Sequence, residues 1–515
     1  MKQFQSLLVL VIIAINCNVF AQNNKPNVLM FVVDDFNDRI AHFGDDQAIT
    51  PNIDKLAELG VSFTNAQTSA TYCTPSRVAL MTGVAPWNSG CYAGQTHHTA
   101  LPNKKTIGML FKENNYQVYG GGKVYHHMPG FVDLRGYDEY FHWNPAQKKK
   151  GWGLFAWRDN KAAPKEFPKP HSDIAKAAYA GFDLTTIDNE LEGEMADTKL
   201  VDWTVEALKG KGKMDTKKPF FLSVGLYAPH KPNFVPQKYY DLYPLDKIKL
   251  PELREDDFDD LPKNVQEIIK RRINHTHKGV VSVKDGWKRA IQGYYAALSY
   301  ADAQFGRVLK ALKENKLDRN TIIVFWSDNG YHLGEKKMWA KHTLWERTTN
   351  VPVFFAGPGI AENKDYRGVI SLLDIYPTLV EVCGLKGATP LDGVSIVNQL
   401  KKPKKIIDRA VITAQKDGKS FSVFTNEYHY MSHQNGAGEE LYSISDIHEF
   451  DNLAMDSKYG DIKQSLKAAL PKSPAKMALD IKAYRLKFEG ENFKWVKKTT
   501  DMKSKKGKKG NKKKK

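Results

Sequence analysis

Three stretches of this chain are almost wholly apolar, and they restrict its fold more than anything else in it. Val28-Leu29-Met30-Phe31-Val32-Val33, Thr321-Ile322-Ile323-Val324-Phe325-Trp326 and Val351 to Ala356 are short runs rich in β-branched residues. A strand with one wet face alternates polar and apolar side chains. A run with no polar face must be covered on both sides, as the central strands of a parallel sheet are. Each run stops abruptly: at Asp34-Asp35, at Ser327-Asp328-Asn329-Gly330 and at Gly357-Pro358-Gly359. Between them Ile291, Tyr295, Leu298, Phe305, Leu309 and Leu312 recur at helical spacing, which predicts one long amphipathic helix over 287–315. Strands alternating with helices predict an α/β fold, a large mostly parallel sheet sandwiched by helices. In such sheets the site lies at the carboxyl ends of the strands, where both acidic clusters fall.

A chain of 515 residues is too long for one simple core and predicts a large domain with a smaller one. Met1-Lys2, the apolar run Leu7 to Ile15 and Val19-Phe20-Ala21 predict a signal peptide over residues 1–21. Its apolar core is shorter than the roughly 20 residues a bilayer span needs, and Ile15-Asn16 before Cys17 is a poor lipid-attachment context. Export follows, with the periplasm the first expectation and the medium or cell surface the others; no later segment is apolar enough to span a membrane. Residues 22–400 are expected to form the catalytic α/β domain. Beyond them short alternating strands, Ala410 to Thr413 and Ser420 to Thr425, predict a small antiparallel sheet with a helix as a C-terminal α+β subdomain over 401–490.

Residues 491–515 are expected to be a disordered Lys-rich tail. From Lys497 on, eleven lysines against the single Asp501 carry more than half of the formal charge of +18. No nucleic-acid-binding motif stands behind that charge, so nucleic acid is excluded as a partner. Residues 140–200, with Trp152, Trp157, Pro164, Pro168 and Pro170, are read as a long insertion over the sheet edge. The acidic stretch Glu252 to Asp260 is read as a solvated loop.

Asp34 and Asp35 follow one central strand, Asp328 and Asn329 another. Two such strand ends meeting at one edge bring three carboxylates and an amide oxygen together, an all-oxygen set suited to Ca²⁺ or Mg²⁺. Without a cation, carboxylates so clustered repel one another. Cys73-Thr74-Pro75-Ser76-Arg77 adds a second element: the proline marks a helix start, so Cys73 sits where free N–H groups favour an anion. Arg77, one turn further, can hold an oxyanion and a carboxylate. Cys91 and Cys383 remain as a pair that could form a disulfide. His97, His98 and His127 have no comparable motif support and are assigned to the surface or the cleft.

The Cys-x-Pro-x-Arg pattern resembles the core motif of the formylglycine-dependent (type I) sulfatases of the alkaline phosphatase superfamily, nearest to the iduronate-2-sulfatase-like group. The likeness extends in order through Asn27 to Asp35, Thr50-Pro51-Asn52-Ile53-Asp54, Met81-Thr82-Gly83 and Gly122-Lys123-Val124-Tyr125-His126. It continues in Tyr227-Ala228-Pro229-His230-Lys231-Pro232, Ser327 to Gly330 with His332-Leu333-Gly334-Glu335, and Trp339-Ala340-Lys341. The resemblance implies an alkaline phosphatase-like fold from Pro26 to about Lys487. It implies one Ca²⁺, with Mg²⁺ second, held by Asp34, Asp35, Asp328 and Asn329, with Cys73 beside it. Cys73 is then oxidised to 3-oxoalanine (formylglycine) by a separate maturation enzyme, and its hydrate attacks the sulfate ester. Arg77 would stabilise the hydrate and Lys123 and Lys341 the sulfate oxygens. His126 would assist the hydrate and the expulsion of sulfate, and His230 would protonate the leaving alcohol.

The substrate expected is a sulfated carbohydrate of ulvan, carrageenan or glycosaminoglycan type, with Trp152, Trp157 and Arg158 as candidate subsite residues. A phosphate or phosphonate ester hydrolase on the same scaffold is one alternative. A non-catalytic glycan-binding protein is the other, though its mark, a lost nucleophile or ligand, is absent from the sequence.

Overall fold

The computed structural model describes residues 25–127, 130–141, 172–178, 182–489 and 492–498. Eight strands form its main sheet: β1 Asn27–Asp34, β2 Gly60–Phe63, β3 Gln117–Gly122, β4 Glu139–Phe141, β5 Phe220–Pro229, β6 Thr321–Ser327, β7 Val353–Ala356 and β8 Lys364–Tyr366, in the order β8-β2-β7-β6-β1-β5-β3-β4. β1 lies at the centre, parallel to β5 on one side and to β6 on the other.

The unbroken apolar run of β1 is explained by what covers it. Leu29, Phe31 and Val33 face a core with Leu200 and Val201 of helix α1 (Ala196–Leu208) and Ile291, Leu298 and Phe305 of helix α2 (Gly286–Glu314). Val28, Met30 and Val32 face the opposite core, with Leu80 and Met81 of the helix Cys73–Thr82 and Ile375 and Leu379 of the helix Ile375–Val382. Both faces are dry, so neither could carry polar side chains without stranding them. The helix expected over 287–315 is α2, within a residue at each end.

The third apolar run departs from expectation. β7 is antiparallel to both of its neighbours, β6 and β2, and is the one reversed strand of the sheet. Gly357-Pro358-Gly359 therefore lies at the end opposite the acidic clusters, with Gly357 packed on Thr321 and Ile322 at the start of β6. Burial on both faces dictates an apolar run whichever way the strand points, so composition could not give its direction.

The C-terminal sheet is antiparallel and four-stranded: β9 Val411–Ala414, β10 Phe421–Phe424, β11 Tyr428–His433 and β12 Gly438–Ser443, covered by the helix Gly460–Ala468. It is joined to the main body through β9: Ala414 N–H donates to Ser69 O at 3.0 Å and Thr71 N–H to Ala414 O at 3.3 Å. A further hairpin, β13 Tyr484–Glu489 and β14 Asn492–Lys497, corrects the tail expected from residue 491. Residues 492–497 are a paired strand, and Trp495 packs edge-on to Phe131 while its Nε1–H donates to Gly130 O at 2.8 Å.

The acidic stretch 252–260 is not wholly solvated either. Asp257 is buried and accepts from the buried Lys336 Nζ at 2.6 Å. Trp152, Trp157 and Arg158 lie outside the described residues. Cys91 and Cys383 are buried and each is a free thiol. Among the described residues no helix is long and apolar enough to cross a membrane.

Candidate functional site

The acids converge because β1 and β6 are neighbours in register, Val33 facing Ser327, so their last residues leave the sheet side by side. β1 shifts register against β5 between Val33 and Asp34, and Asp35 takes a left-handed backbone (φ 56°). That turn, costly for a residue with a Cβ, leaves both Asp34 and Asp35 fully buried at the strand end. One oxygen each of Asp34, Asp35 and Asp328 lies within 4.8 Å of the others.

Cys73 is the first residue of its helix, as the proline two residues on predicts, and it is 2% exposed. Arg77, fully buried one turn further, ties the two strand ends together. Its Nε donates to Asp328 Oδ2 at 2.7 Å and its Nη2 to Asp34 Oδ1 at 3.0 Å. Nη1 donates to Lys123 O and, at 3.3 Å, to Val124 O, which secures the chain leaving β3. Lys123 Nζ pairs with Asp34 Oδ2 and lies 4.6 Å from the centre of the Tyr227 ring. Lys341 Nζ pairs with Asp35 Oδ1 and sits 2.7 Å from Cys73 Sγ.

Three carboxylates thus meet three cations. Burial alone would raise Asp34 and Asp35. Lys123 and His230 outweigh it at Asp34, holding it well below the usual carboxylate range, and Lys341 and His230 bring Asp35 down to about 2. Burial and the Asp34 charge push the Cys73 thiol far above its ordinary value. A thiol that stays protonated is a poor nucleophile, so an unmodified Cys73 has little to offer as one.

Asn329 Nδ2 donates to Asp35 Oδ1 at 2.7 Å and to Gly330 O at 3.0 Å. Among the described residues its Oδ1 and Asp35 Oδ2 are buried acceptors with no donor. Orphaned buried acceptors are rare and costly. Both belong to the four-residue oxygen set, and a hard divalent cation is the partner that set lacks, so the residues fit such an ion.

His230 Nδ1–H donates to Lys231 O at 2.6 Å, since a carbonyl can only accept, and Nε2 faces Asp35 Oδ2 at 3.6 Å. Burial brings His230 down to about 4 in spite of Asp35. Its neutral ring therefore carries its proton on Nδ1 and leaves Nε2 open. Asp197 accepts from Tyr227 N–H at 3.0 Å and Ala228 N–H at 2.9 Å, fixing the end of β5 that leads to His230. No motif marks Asp197; it sits one residue into α1 with nothing local to single it out.

His126 is 9% exposed, its ring 6.3 Å from that of Tyr72 and 5.2 Å from Phe131, and its Nδ1 has no partner among the described residues. Burial, then His127 and Lys123, hold it well below its ordinary value, so it is neutral. Asp34, Asp35, Cys73, Arg77, Lys123, His230, Asp328, Asn329 and Lys341 thus form one linked cluster, with His126 at its border. His97, assigned to the surface or cleft, is instead 1% exposed against Asp133, 3.8 Å away.

Residues 26–385 match the family model described as Sulfatase. A sulfatase of Formosa agariphila is 36% identical over 470 residues, covering 88% of this chain and 87% of that protein. The iduronate 2-sulfatase of Mus musculus is 32% identical, over 71% of this chain and 70% of its own. The solved structure of a 2-O GAG sulfatase shares the fold with a TM-score of 0.64, over 86% of this chain and 90% of that one, at 24% identity.

Proposed function

The chain belongs to the sulfatase family, and from that premise we propose that it hydrolyses O-sulfate esters of a sulfated carbohydrate with an aldehyde made from Cys73. Sulfuric ester hydrolysis is the activity of the family. The carbohydrate, the modified cysteine and the identity of the ion are our reading. The single observation that carries it is the meeting of Cys73 Sγ, Lys341 Nζ at 2.7 Å and an oxygen cluster holding two orphaned acceptors.

Asp34, Asp35, Asp328 and Asn329 would hold Ca²⁺, which when bound neutralises charge growing on sulfate oxygens. A hydrated aldehyde at position 73 would supply the hydroxyl that a buried, protonated thiol cannot. The protein's own residues do the rest. Arg77 locks the helix start bearing Cys73 to both strand ends, so the nucleophile is held without a search. Lys123 and Lys341, paired with Asp34 and Asp35, bring two ammonium groups to the cluster that would hold the sulfate oxygens.

His230 has its tautomer fixed by Lys231 O, so Nε2 is the nitrogen that can take up a proton and pass it to a leaving alcohol. An anionic substrate beside it favours the protonated ring. His126, neutral and with Nδ1 without a partner among the described residues, would take a proton from the hydrate at residue 73. Export is proposed from the N-terminal apolar segment, with the periplasm as destination and a maturation enzyme acting on Cys73 as a required partner.

The test is sulfate release from ulvan, carrageenan, heparan and dermatan oligosaccharides by protein whose residue 73 is shown by mass to be aldehyde. Cys73→Ala is the control. Release from at least one glycan, absent in the control, is the expected result. Release from none, with turnover of phosphonate or small aryl esters, overturns the carbohydrate reading.

A further inference from the structure

We propose that Tyr72 and Lys416 form a subsite beside Cys73 for a sugar ring bearing a second anionic group, a carboxylate or a further sulfate. The inference rests on the sulfatase reading above and names the substrate class for the same site. Tyr72 caps the Cys73 helix in an extended conformation (φ −153°, ψ 139°). It stays half-buried while every residue from Cys73 to Thr82 is buried. Its ring centre is 6.0 Å from Lys341 Nζ, 5.1 Å from the His342 ring and 6.3 Å from the His126 ring. The aromatic face is therefore part of the wall around the reacting position.

Lys416 reaches the same ring from the C-terminal subdomain, its Nζ 5.1 Å from the Tyr72 centroid. The placement is built rather than incidental. β9 is hydrogen-bonded to Ser69 and Thr71, immediately before Tyr72, and Thr413 Oγ1 donates to Thr68 O. The turn after β9 is then pinned to the Lys341 loop, where Gln415 Nε2 donates to His342 O at 2.8 Å.

Asp417, the one acid beside Lys416 in that turn, is used within it. It accepts from Lys419 N–H and Ser420 N–H at 2.8 Å each and from Ser420 Oγ at 2.6 Å. Among the described residues Lys416 has no carboxylate within ion-pair distance. An exposed ammonium on an aromatic face, held in place by backbone pairing and short of a counter-ion, matches a pyranose. The ring's C–H face would lie on Tyr72 and its charged substituent would meet the ammonium. Lys341 and Lys416 flank one ring, so the scissile sulfate and the second anion belong to the same or adjacent sugars.

The experiment compares four substrates on full-length, aldehyde-bearing protein: a monosulfated uronate disaccharide, its carboxyl-reduced form, a disulfated neutral disaccharide and 4-nitrophenyl sulfate. Lys416→Met should raise KM about tenfold on the substrate whose second anion is recognised. The effect should be several times smaller on the carboxyl-reduced disaccharide and on 4-nitrophenyl sulfate, with Lys416→Arg restoring most of the loss. The uronate and disulfated arms tell carboxylate from sulfate. Tyr72→Leu should raise KM on the disaccharides while Tyr72→Phe does not. Equal losses on all four substrates, or a fall in kcat with KM unmoved, would overturn the subsite and leave the turn a packing element. If the unsubstituted protein cleaves 4-nitrophenyl sulfate but no sugar sulfate, the carbohydrate reading has failed and takes the subsite with it.

Discussion

Two clusters of buried charge share the stretch from Asp328 to Trp345, and they are finished to different degrees. Around Lys336 the ammonium and the carboxylates that face it are all paired. Its ammonium donates to Asp257 Oδ1 and Glu449 O at 2.6 Å each and lies against the rings of Trp345, Phe450 and Tyr442. Nearby Glu440, fully buried, accepts from Trp345 Nε1–H at 3.0 Å, Tyr442 O–H at 2.7 Å and His433 Nε2–H at 2.6 Å. Around Asp35 the charges balance, yet among the described residues Asp35 Oδ2 and Asn329 Oδ1 go without donors.

Burial and charge alone do not mark a site; what sets the Asp35 cluster apart is that a carboxylate and an amide oxygen inside it are left without donors. The closed cluster also serves the open one. Lys336, Lys337, Ala340 and His342 all have left-handed backbones, so the loop that presents Lys341 is strained along most of its length. Lys336 anchors that loop from beneath.

The contrast predicts effects of different kinds and sizes. The largest belongs to the open cluster: Cys73→Ala should lower sulfate release roughly 10⁴-fold or to background while leaving the thermal midpoint nearly unchanged. A large loss of stability instead would make Cys73 a structural residue. The closed cluster should behave the other way. Lys336→Met leaves Asp257 unpaired and should cost about 3–5 kcal/mol in urea unfolding, with Lys336→Met/Asp257→Leu recovering much of it.

Calcium added after EGTA should stabilise the protein by about 2.7 kcal/mol at a hundredfold excess over Kd. Asp35→Asn/Asn329→Ala should abolish that shift; a shift that survives would put the ion elsewhere. The smallest effect is one of pH. Burial holds Glu449 up to about 8, pushed further by Glu440 and pulled back by Lys336 and the Glu346 N–H. Burial and the Glu449 charge likewise bring Glu346 to about 8, against Arg347. Both stay protonated in the fold where the unfolded chain is already ionised. The unfolded state therefore binds fewer protons from the ordinary carboxylate range up to about pH 8, and stability falls as pH rises through that window. The thermal midpoint should drop by roughly 1–3 °C from pH 6 to pH 9, and Glu449→Gln should flatten the slope.

The sequence disclosed whatever depends on short stretches. β1 and β6 were visible because double burial forbids polar residues along them, and Cys73 could be placed at a helix start because Pro75 favours one. Arg77 and the four oxygen ligands followed from their positions at those ends. What long-range pairing decides stayed hidden. The direction of β7 and the burial of Asp257 against Lys336 leave no local trace; the short-range pairing of residues 492–497 with 484–489 does leave one, the alternation of Tyr484, Leu486 and Phe488 and of Phe493 and Trp495, which the lysines that follow outweighed. Asp197, Tyr72 and Lys416 acquire meaning only from neighbours thirty or more residues away or across a subdomain boundary.

The reversal of β7 has a consequence for how the family's chemistry could be re-aimed. In an all-parallel sheet, a chain leaving β6 must cross back to the far end before its next strand begins. Because β7 runs downward, the chain stays at the site end from Asp328 to Val351 and adds Asp328, Asn329, Lys341 and His342 in one visit. That visit pairs its backbone with the main body near Thr349 and Val351 and is held along its middle by side chains such as Asp35, Asn37 and Arg39. Insertions or substitutions within it can redraw the rim of the site without disturbing a single rung of the central ladder.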